Sequence, residues 1–174
     1  MMRCVFFDRD GVVNESPGPG RYVLDWSGFR LSPGFVDAMT AARDSGYAAA
    51  VVTNQRCVAI GLLSLEKLLD MHRRLREMLW DRHGLEFLDI MVCPHDAGEC
   101  ECRKPKPGML LELSRRYSLD MRASWMIGDA ETDVEAGRNA GCRTILVSSS
   151  PGATTADFTA PTMLDLPALM RRIL

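Results

Sequence analysis

Residues 3–11 read Arg3-Cys4-Val5-Phe6-Phe7-Asp8-Arg9-Asp10-Gly11. Val5–Phe7 is apolar without alternation, the pattern of a strand buried on both faces, and the run stops abruptly at two carboxylates and a glycine. Ala48–Val52 repeats the pattern inside a strand expected over Ala48–Thr53, and Arg3–Phe7, Leu88–Cys93, Ser124–Gly128 and Thr144–Val147 complete the set of strand candidates. Helical patterns lie between them. Gly34–Ser45 is closed by Gly46, a good residue for the position after a helix. Ser64 caps a long helix whose Leu65, Leu68, Leu69, His72, Leu75 and Leu79 recur at three- and four-residue spacing until Gly84. Further helices are expected over Gly108–Tyr117, Glu131–Asn139 and Leu166–Ile173. Strand and helix in regular alternation predict an α/β fold, a three-layer Rossmann-like parallel sheet with helices on both faces, formed by residues 1–174 as a single domain.

The composition agrees. A chain of 174 residues with 47% hydrophobic and 25% charged residues is an ordinary globular domain, long enough to bury a core without staples. Its 21 Lys and Arg against 23 Asp and Glu leave a net charge of −2, which argues against nucleic acid as a partner. No run of 18 apolar residues is present, so no membrane partner is expected. The apolar run before Asp8 is only four residues long, too short for the core of a signal peptide, and a cytoplasmic location is the expectation.

In an open parallel sheet, ligands bind beyond the carboxyl ends of the strands, so the residues after each strand are the ones to read. Asp8-Arg9-Asp10-Gly11 follows the first, and Gly128-Asp129-Ala130-Glu131-Thr132-Asp133 ends the fourth. Separately, each has a plain explanation: Asp and Gly favour turns, and an acid before a helix makes a cap. Together they crowd several carboxylates into one crevice, where they repel unless a cation sits among them. Hard oxygen ligands with open positions suit Mg²⁺. Thr53 and Asn54 offer a hydroxyl and an amide, and Arg103-Lys104 before Pro105 offers two cations in a loop. Alone, that pair would be two surface charges. Acid, metal, hydroxyl and lysine around one anionic group describe phosphoryl transfer, where positioning and charge stabilisation dominate.

Six cysteines complete the inventory. Cys4, Cys57 and Cys142 are isolated and read as buried thiols. Cys93, His95, Cys100 and Cys102 put three thiols and one imidazole within ten residues, the donor set of a closed, structural zinc site. Such a zinc-bound loop would fix Arg103 and Lys104, which follow Cys102 directly.

The ordered set Asp8-Arg9-Asp10-Gly11, Val52-Thr53-Asn54-Gln55, Arg103-Lys104-Pro105 and Gly128-Asp129 with Asp133 resembles the haloacid dehalogenase-like phosphatases across roughly residues 3 to 150. The resemblance implies that Asp8 is the nucleophile forming an aspartyl-phosphate. It implies that Asp10 protonates the leaving oxygen and then activates water, and that Thr53 and Lys104 hold the transferring group. Mg²⁺ would be bound by Asp8, Asp129 and the backbone carbonyl of Asp10, with Asp133 beside it. Lys104 is preferred to Lys106, although both precede proline. No large cap domain has room in the chain, so the site is expected to be open, with Arg21–Arg30 as a wall in which Tyr22, Trp26 and Phe29 pack. Members with this zinc loop are heptose bisphosphate and histidinol-phosphate phosphatases. Tyr22-Val23 and the residues after Thr53 (Val58, Ala59, Gly61) favour the first, with Asn54 and Arg103 as substrate-binding residues. Cys57, Ile60 and Ala130 depart from the commoner pattern and bear on which phosphosugar is taken. A zinc-stabilised binding module without catalysis is the competing class, and the intact acid pair argues against it. The expected enzyme is a monomer.

Overall fold

Cys4–Phe7 form β1 with all four side chains buried, and their alternation divides the core in two. The computed structural model describes all 174 residues, Met1–Leu174. Val5 and Phe7 point into the larger of two apolar clusters, and Cys4 and Phe6 into the smaller. The same division runs through β2 (Ala48–Asn54), where Ala49 and Val51 face one way and Ala50 and Val52 the other. Trp125 and Ile127 of β4 (Trp125–Gly128) join the larger cluster and Met126 the smaller. Each fully buried Phe or Val contributes roughly 1.5–3 kcal/mol, so a strand lined on both faces ties the whole sheet into both layers.

With β3 (Asp89–Cys93), β5 (Arg143–Val147) and β6 (Phe158–Ala160), the strands form one six-stranded sheet in the order β3-β2-β1-β4-β5-β6, parallel at every pairing. The helices in chain order are α1 (Phe35–Asp44), α2 (Arg56–Ala59), α3 (Leu65–His83), α4 (Gly108–Tyr117), α5 (Glu131–Asn139) and α6 (Leu166–Ile173). Helices α1, α3 and α6 cover the larger cluster, while α4 and α5 cover the smaller. The expected three layers are therefore present.

Three details depart from the sequence reading. β6 was not anticipated: it has three residues, with Thr159 exposed and Ala160 buried. A strand this short at a sheet edge carries no periodicity to read. Asp157 anchors it by accepting hydrogen bonds from the Thr144 backbone at 2.7 Å and its hydroxyl at 3.0 Å. The short α2 precedes the long helix. Along α3, capped by the Ser64 hydroxyl and ended by left-handed Gly84, the buried stripe is Leu68, Met71, His72, Leu75 and Leu79. Leu65 and Leu69 belong to the other side and are exposed.

Only a loop with one 3₁₀ turn joins β1 to α1, and only α2 stands between β2 and α3, so no cap is inserted. In that first loop Phe29 is buried and Trp26 stacks on it with ring centroids 5.1 Å apart, the packing role expected of this wall. No helix is long and apolar enough to cross a membrane.

Candidate active site

The turn after β1 brings the first acids together. Asp8 continues the strand by donating its N–H to Ile127 O at 2.9 Å. The chain then folds back, with Asn14 N on Arg9 O at 2.9 Å and Gly11 N on Asn14 O at 2.7 Å. Gly11 has φ +94°, and a Cβ there would run into the Asp129 carboxylate. Gly128 is restricted in the same way by Asp133. Two glycines thus let the ends of β1 and β4 approach until ligand oxygens of Asp8, Asp129 and Asp133 lie within 4.8 Å of one another.

Lys104 enters this group from the loop after β3 and is 4% exposed. Its Nζ lies 2.5 Å from Asp8 Oδ1, 2.6 Å from Asp133 Oδ1 and 2.9 Å from Val52 O. Burial alone would lower the lysine pKa, but Asp133 and Asp8 hold it above its usual value, so the ammonium stays charged. Three carboxylates against one ammonium remain under-neutralised. Burial, with Asp133 and Asp129 adding to it, pushes Asp8 up to about 8 despite Lys104. Burial and Asp133 likewise push Asp129 up to about 6. A site of oxygen donors short of positive charge is suited to a hard divalent cation. Asp133, expected at the margin, is 2% exposed and central: besides Lys104 it accepts from Ala130 N at 3.1 Å, fixing the start of α5.

Asp10 sits in different surroundings. Its Oδ1 accepts from Arg9 Nη2 at 3.0 Å and Asn14 Nδ2 at 3.0 Å, and its Oδ2 from Gln55 Nε2 at 2.9 Å. Burial would raise its pKa, yet Arg9 and these hydrogen bonds together hold it below the usual carboxylate value. Two carboxyl groups two residues apart are thereby driven in opposite directions, Asp8 up and Asp10 down.

At the end of β2, the Thr53 hydroxyl accepts from Gln55 Nε2 at 2.8 Å. Asn54 donates to Lys104 O at 3.1 Å and accepts from Lys104 N at 3.1 Å, so its amide clamps the lysine backbone. Lys106 instead lies 2.9 Å from Cys100 O and 2.7 Å from Glu101 Oε1, away from Asp8. Arg103 is half-buried, with Nη1 3.2 Å from His95 O.

Cys93, His95, Cys100 and Cys102 converge in one cluster. The Cys102 sulfur lies 3.1 Å from that of Cys93, 3.2 Å from that of Cys100 and 3.3 Å from His95 Nδ1. These separations are far longer than the ~2.05 Å of a disulfide. Four soft donors around one point fit zinc in a closed tetrahedral set. The remaining cysteines, Cys4, Cys57 and Cys142, are buried, as expected.

The sequence reading missed Arg9, Asn14 and Gln55 as holders of Asp10. Arg9 and Gln55 lie inside quoted motifs and Asn14 three residues beyond one, but a motif does not say which way its side chains turn. An apolar hollow of about 330 Å³ beside Met2, Met39, Tyr47, Trp80 and Leu88 lies where β2 begins, at the opposite end of the sheet from Asp8.

Comparison with known proteins places this geometry. The HAD-hydrolase-like family model matches residues 101–164. The D-glycero-beta-D-manno-heptose-1,7-bisphosphate 7-phosphatase of Pseudomonas putida is 36% identical over 99% of this chain and 100% of its own. The enzyme of the same name from Photorhabdus laumondii is 37% identical over 98% of this chain and 96% of its own. Among solved structures, the D,D-heptose 1,7-bisphosphate phosphatase from B. bronchiseptica, complexed with magnesium and phosphate, superposes with a TM-score of 0.88 at 26% identity, covering 99% of this chain and 100% of that one. The chain therefore belongs to the haloacid dehalogenase-like phosphatases and is a phosphoric monoester hydrolase.

Proposed function

We propose that the enzyme hydrolyses a small phosphosugar, a D-glycero-D-manno-heptose 1,7-bisphosphate, at its primary 7-phosphate to leave the 1-phosphate. The observation that carries this reading is Asp8, a strand-end carboxylate in contact with the buried ammonium of Lys104 and flanked by Asp129 and Asp133. A carboxylate oxygen of Asp8 attacks phosphorus, and the bond to the sugar oxygen breaks as the aspartyl-phosphate forms. Asp10 gives the leaving oxygen its proton. It then takes a proton from the water that attacks the same phosphorus, releasing phosphate and regenerating Asp8. Thr53 and Lys104 hold the phosphoryl oxygens, and Asn54 serves the substrate through the Lys104 backbone it clamps.

The under-neutralised carboxylates support Mg²⁺ held by Asp8, Asp129 and the Asp10 carbonyl, with Asp133 beside it. When bound, it supplies the positive charge that keeps Asp8 ionised and offsets charge on the phosphoryl oxygens. Cys93, His95, Cys100 and Cys102 would hold a zinc ion that stabilises the fold, since four protein ligands leave no open position.

Arg103 supports a substrate with a second anionic group. A bisphosphate gains from that cation, whereas histidinol phosphate presents an ammonium and an imidazole that it repels. Phosphate release from both heptose bisphosphate anomers and from histidinol phosphate tests the assignment. The expected order of kcat/KM places a heptose bisphosphate first; histidinol phosphate ahead of both anomers would overturn it.

A further inference from the structure

Arg9 is fully buried, and its only ion-pair partner is Asp10. A buried guanidinium needs its N–H groups matched, since each left bare costs about 1–3 kcal/mol. Its Nη2 is matched by Asp10 Oδ1, and its Nη1 lies 3.2 Å from Nε2 of His72, a 4%-exposed residue of α3. Its Nε has no partner, and neither has His72 Nδ1. Arginine can only donate, so His72 Nε2 must be the acceptor and the ring must be neutral with its proton on Nδ1. Burial first, and then the Arg9 charge, push the His72 pKa down to about 3, consistent with that tautomer.

The guanidinium is thus held at two points, one on the helix and one on Asp10. A merely space-filling residue at this position would be apolar, like Leu68, Leu75 and Leu79 of the same stripe. The imidazole instead supplies the single lone pair that fixes the rotation of Arg9. Gln55, which bonds both Asp10 and Thr53, braces the opposite oxygen.

We propose that His72 is a positioning residue for phosphoryl transfer: through Arg9 it sets the direction in which the Asp10 carboxyl group faces the leaving oxygen. It touches no substrate and acts at the far end of the chain His72–Arg9–Asp10. The inference rests on the assignment of Asp10 as proton donor.

The test uses kcat/KM, which reports only the steps up to departure of the leaving group, measured with a sugar phosphate and with p-nitrophenyl phosphate. A sugar alkoxide needs the Asp10 proton; a nitrophenolate leaves without it. His72→Asn, whose amide mimics the wrong ring nitrogen, is expected to lose at least about tenfold on the sugar phosphate and less than about threefold on the aryl phosphate. His72→Gln keeps an acceptor at the Nε2 position and is expected to stay within about threefold of wild type on both. His72→Leu, if it folds, is expected to behave as the Asn variant; if it does not, the Asn and Gln pair still decides. Equal loss on both substrates, or an Asn variant indistinguishable from Gln, overturns the inference. Asp10→Asn in parallel separates the two levels. If Asp10→Asn discriminates between the substrates and His72→Asn does not, only the role of His72 fails. If Asp10→Asn affects both alike, the proton-donor assignment fails, and the inference with it.

Discussion

The molecule gathers ligands in two places, and it does so in opposite ways. Cys93, His95, Cys100 and Cys102 come from one short stretch, the last residue of β3 and the loop after it. Asp8, Asp129 and Asp133, with Lys104, come from the ends of β1 and β4, the start of α5 and the loop after β3. The first cluster is soft and closed by its own ligands. The second is hard, crowded and short of positive charge, and burial first, then the neighbouring carboxylates, drive Asp8 and Asp129 up. Closure serves the fold and an unbalanced charge serves chemistry. Damage to each cluster is therefore expected to appear in a different measurement.

The largest separation is expected from Asp8→Asn. A neutral amide cannot attack phosphorus, so turnover is expected to fall below about a thousandth of wild type. The same change removes one of three mutually repelling carboxylates, so the melting temperature is expected to hold or rise. Retained activity above that level would falsify the nucleophile assignment, and a collapsed melting temperature would erase the contrast between the clusters.

Chelation sharpens the contrast from the metal side. Mild EDTA is expected to abolish activity reversibly, because a Mg²⁺ ion held by few protein ligands, and keeping waters, is given up readily. Zinc is expected to remain at one ion per chain, since thiolate sites bind far more tightly. Elemental analysis that finds no zinc in protein produced with zinc available would remove the closed cluster from the comparison. Cys100→Ser is expected to do the reverse of Asp8→Asn. It costs about a few kcal/mol of stability, read as a lower midpoint in denaturant, with a smaller fall in kcat as the loop carrying Lys104 loosens.

The two clusters also differ in how plainly the sequence announces them. Cys93, His95, Cys100 and Cys102 are legible from spacing alone, because ligands within ten consecutive residues must be near one another. The carboxylates became legible only after the apolar runs at Val5–Phe7 and Ala48–Val52 had implied a parallel sheet, which directs attention to the strand ends. Three kinds of feature stayed hidden. The edge strand at Phe158–Ala160 is too short to show a period. The depth of Asp133 depends on Gly128 admitting it, a fact of packing and not of pattern. The Arg9, Asn14 and Gln55 cradle of Asp10 requires knowing which way side chains turn in a tight loop, and the helical spacing that includes His72 gives no reason to separate it from its apolar neighbours.

The smallest effect expected is also the one that joins the two regions. Arg103 follows Cys102 in sequence, and its Nη1 donates to the carbonyl of His95 at 3.2 Å, so a loop held by the thiol cluster would aim the cation next to Lys104. On the proposed role, Arg103→Ala is expected to remove one charge-assisted contact to a second anionic group, worth about 1.5 kcal/mol at a half-buried site. KM for a heptose bisphosphate is therefore expected to rise about tenfold, while KM for the matching monophosphate stays within about twofold. If the loop is what aims Arg103, Cys100→Ser already loses part of this contact, and the double variant falls short of the product of the two single effects. Fully multiplicative effects would mean that the closed cluster stabilises the fold without directing the open one, leaving the two regions independent.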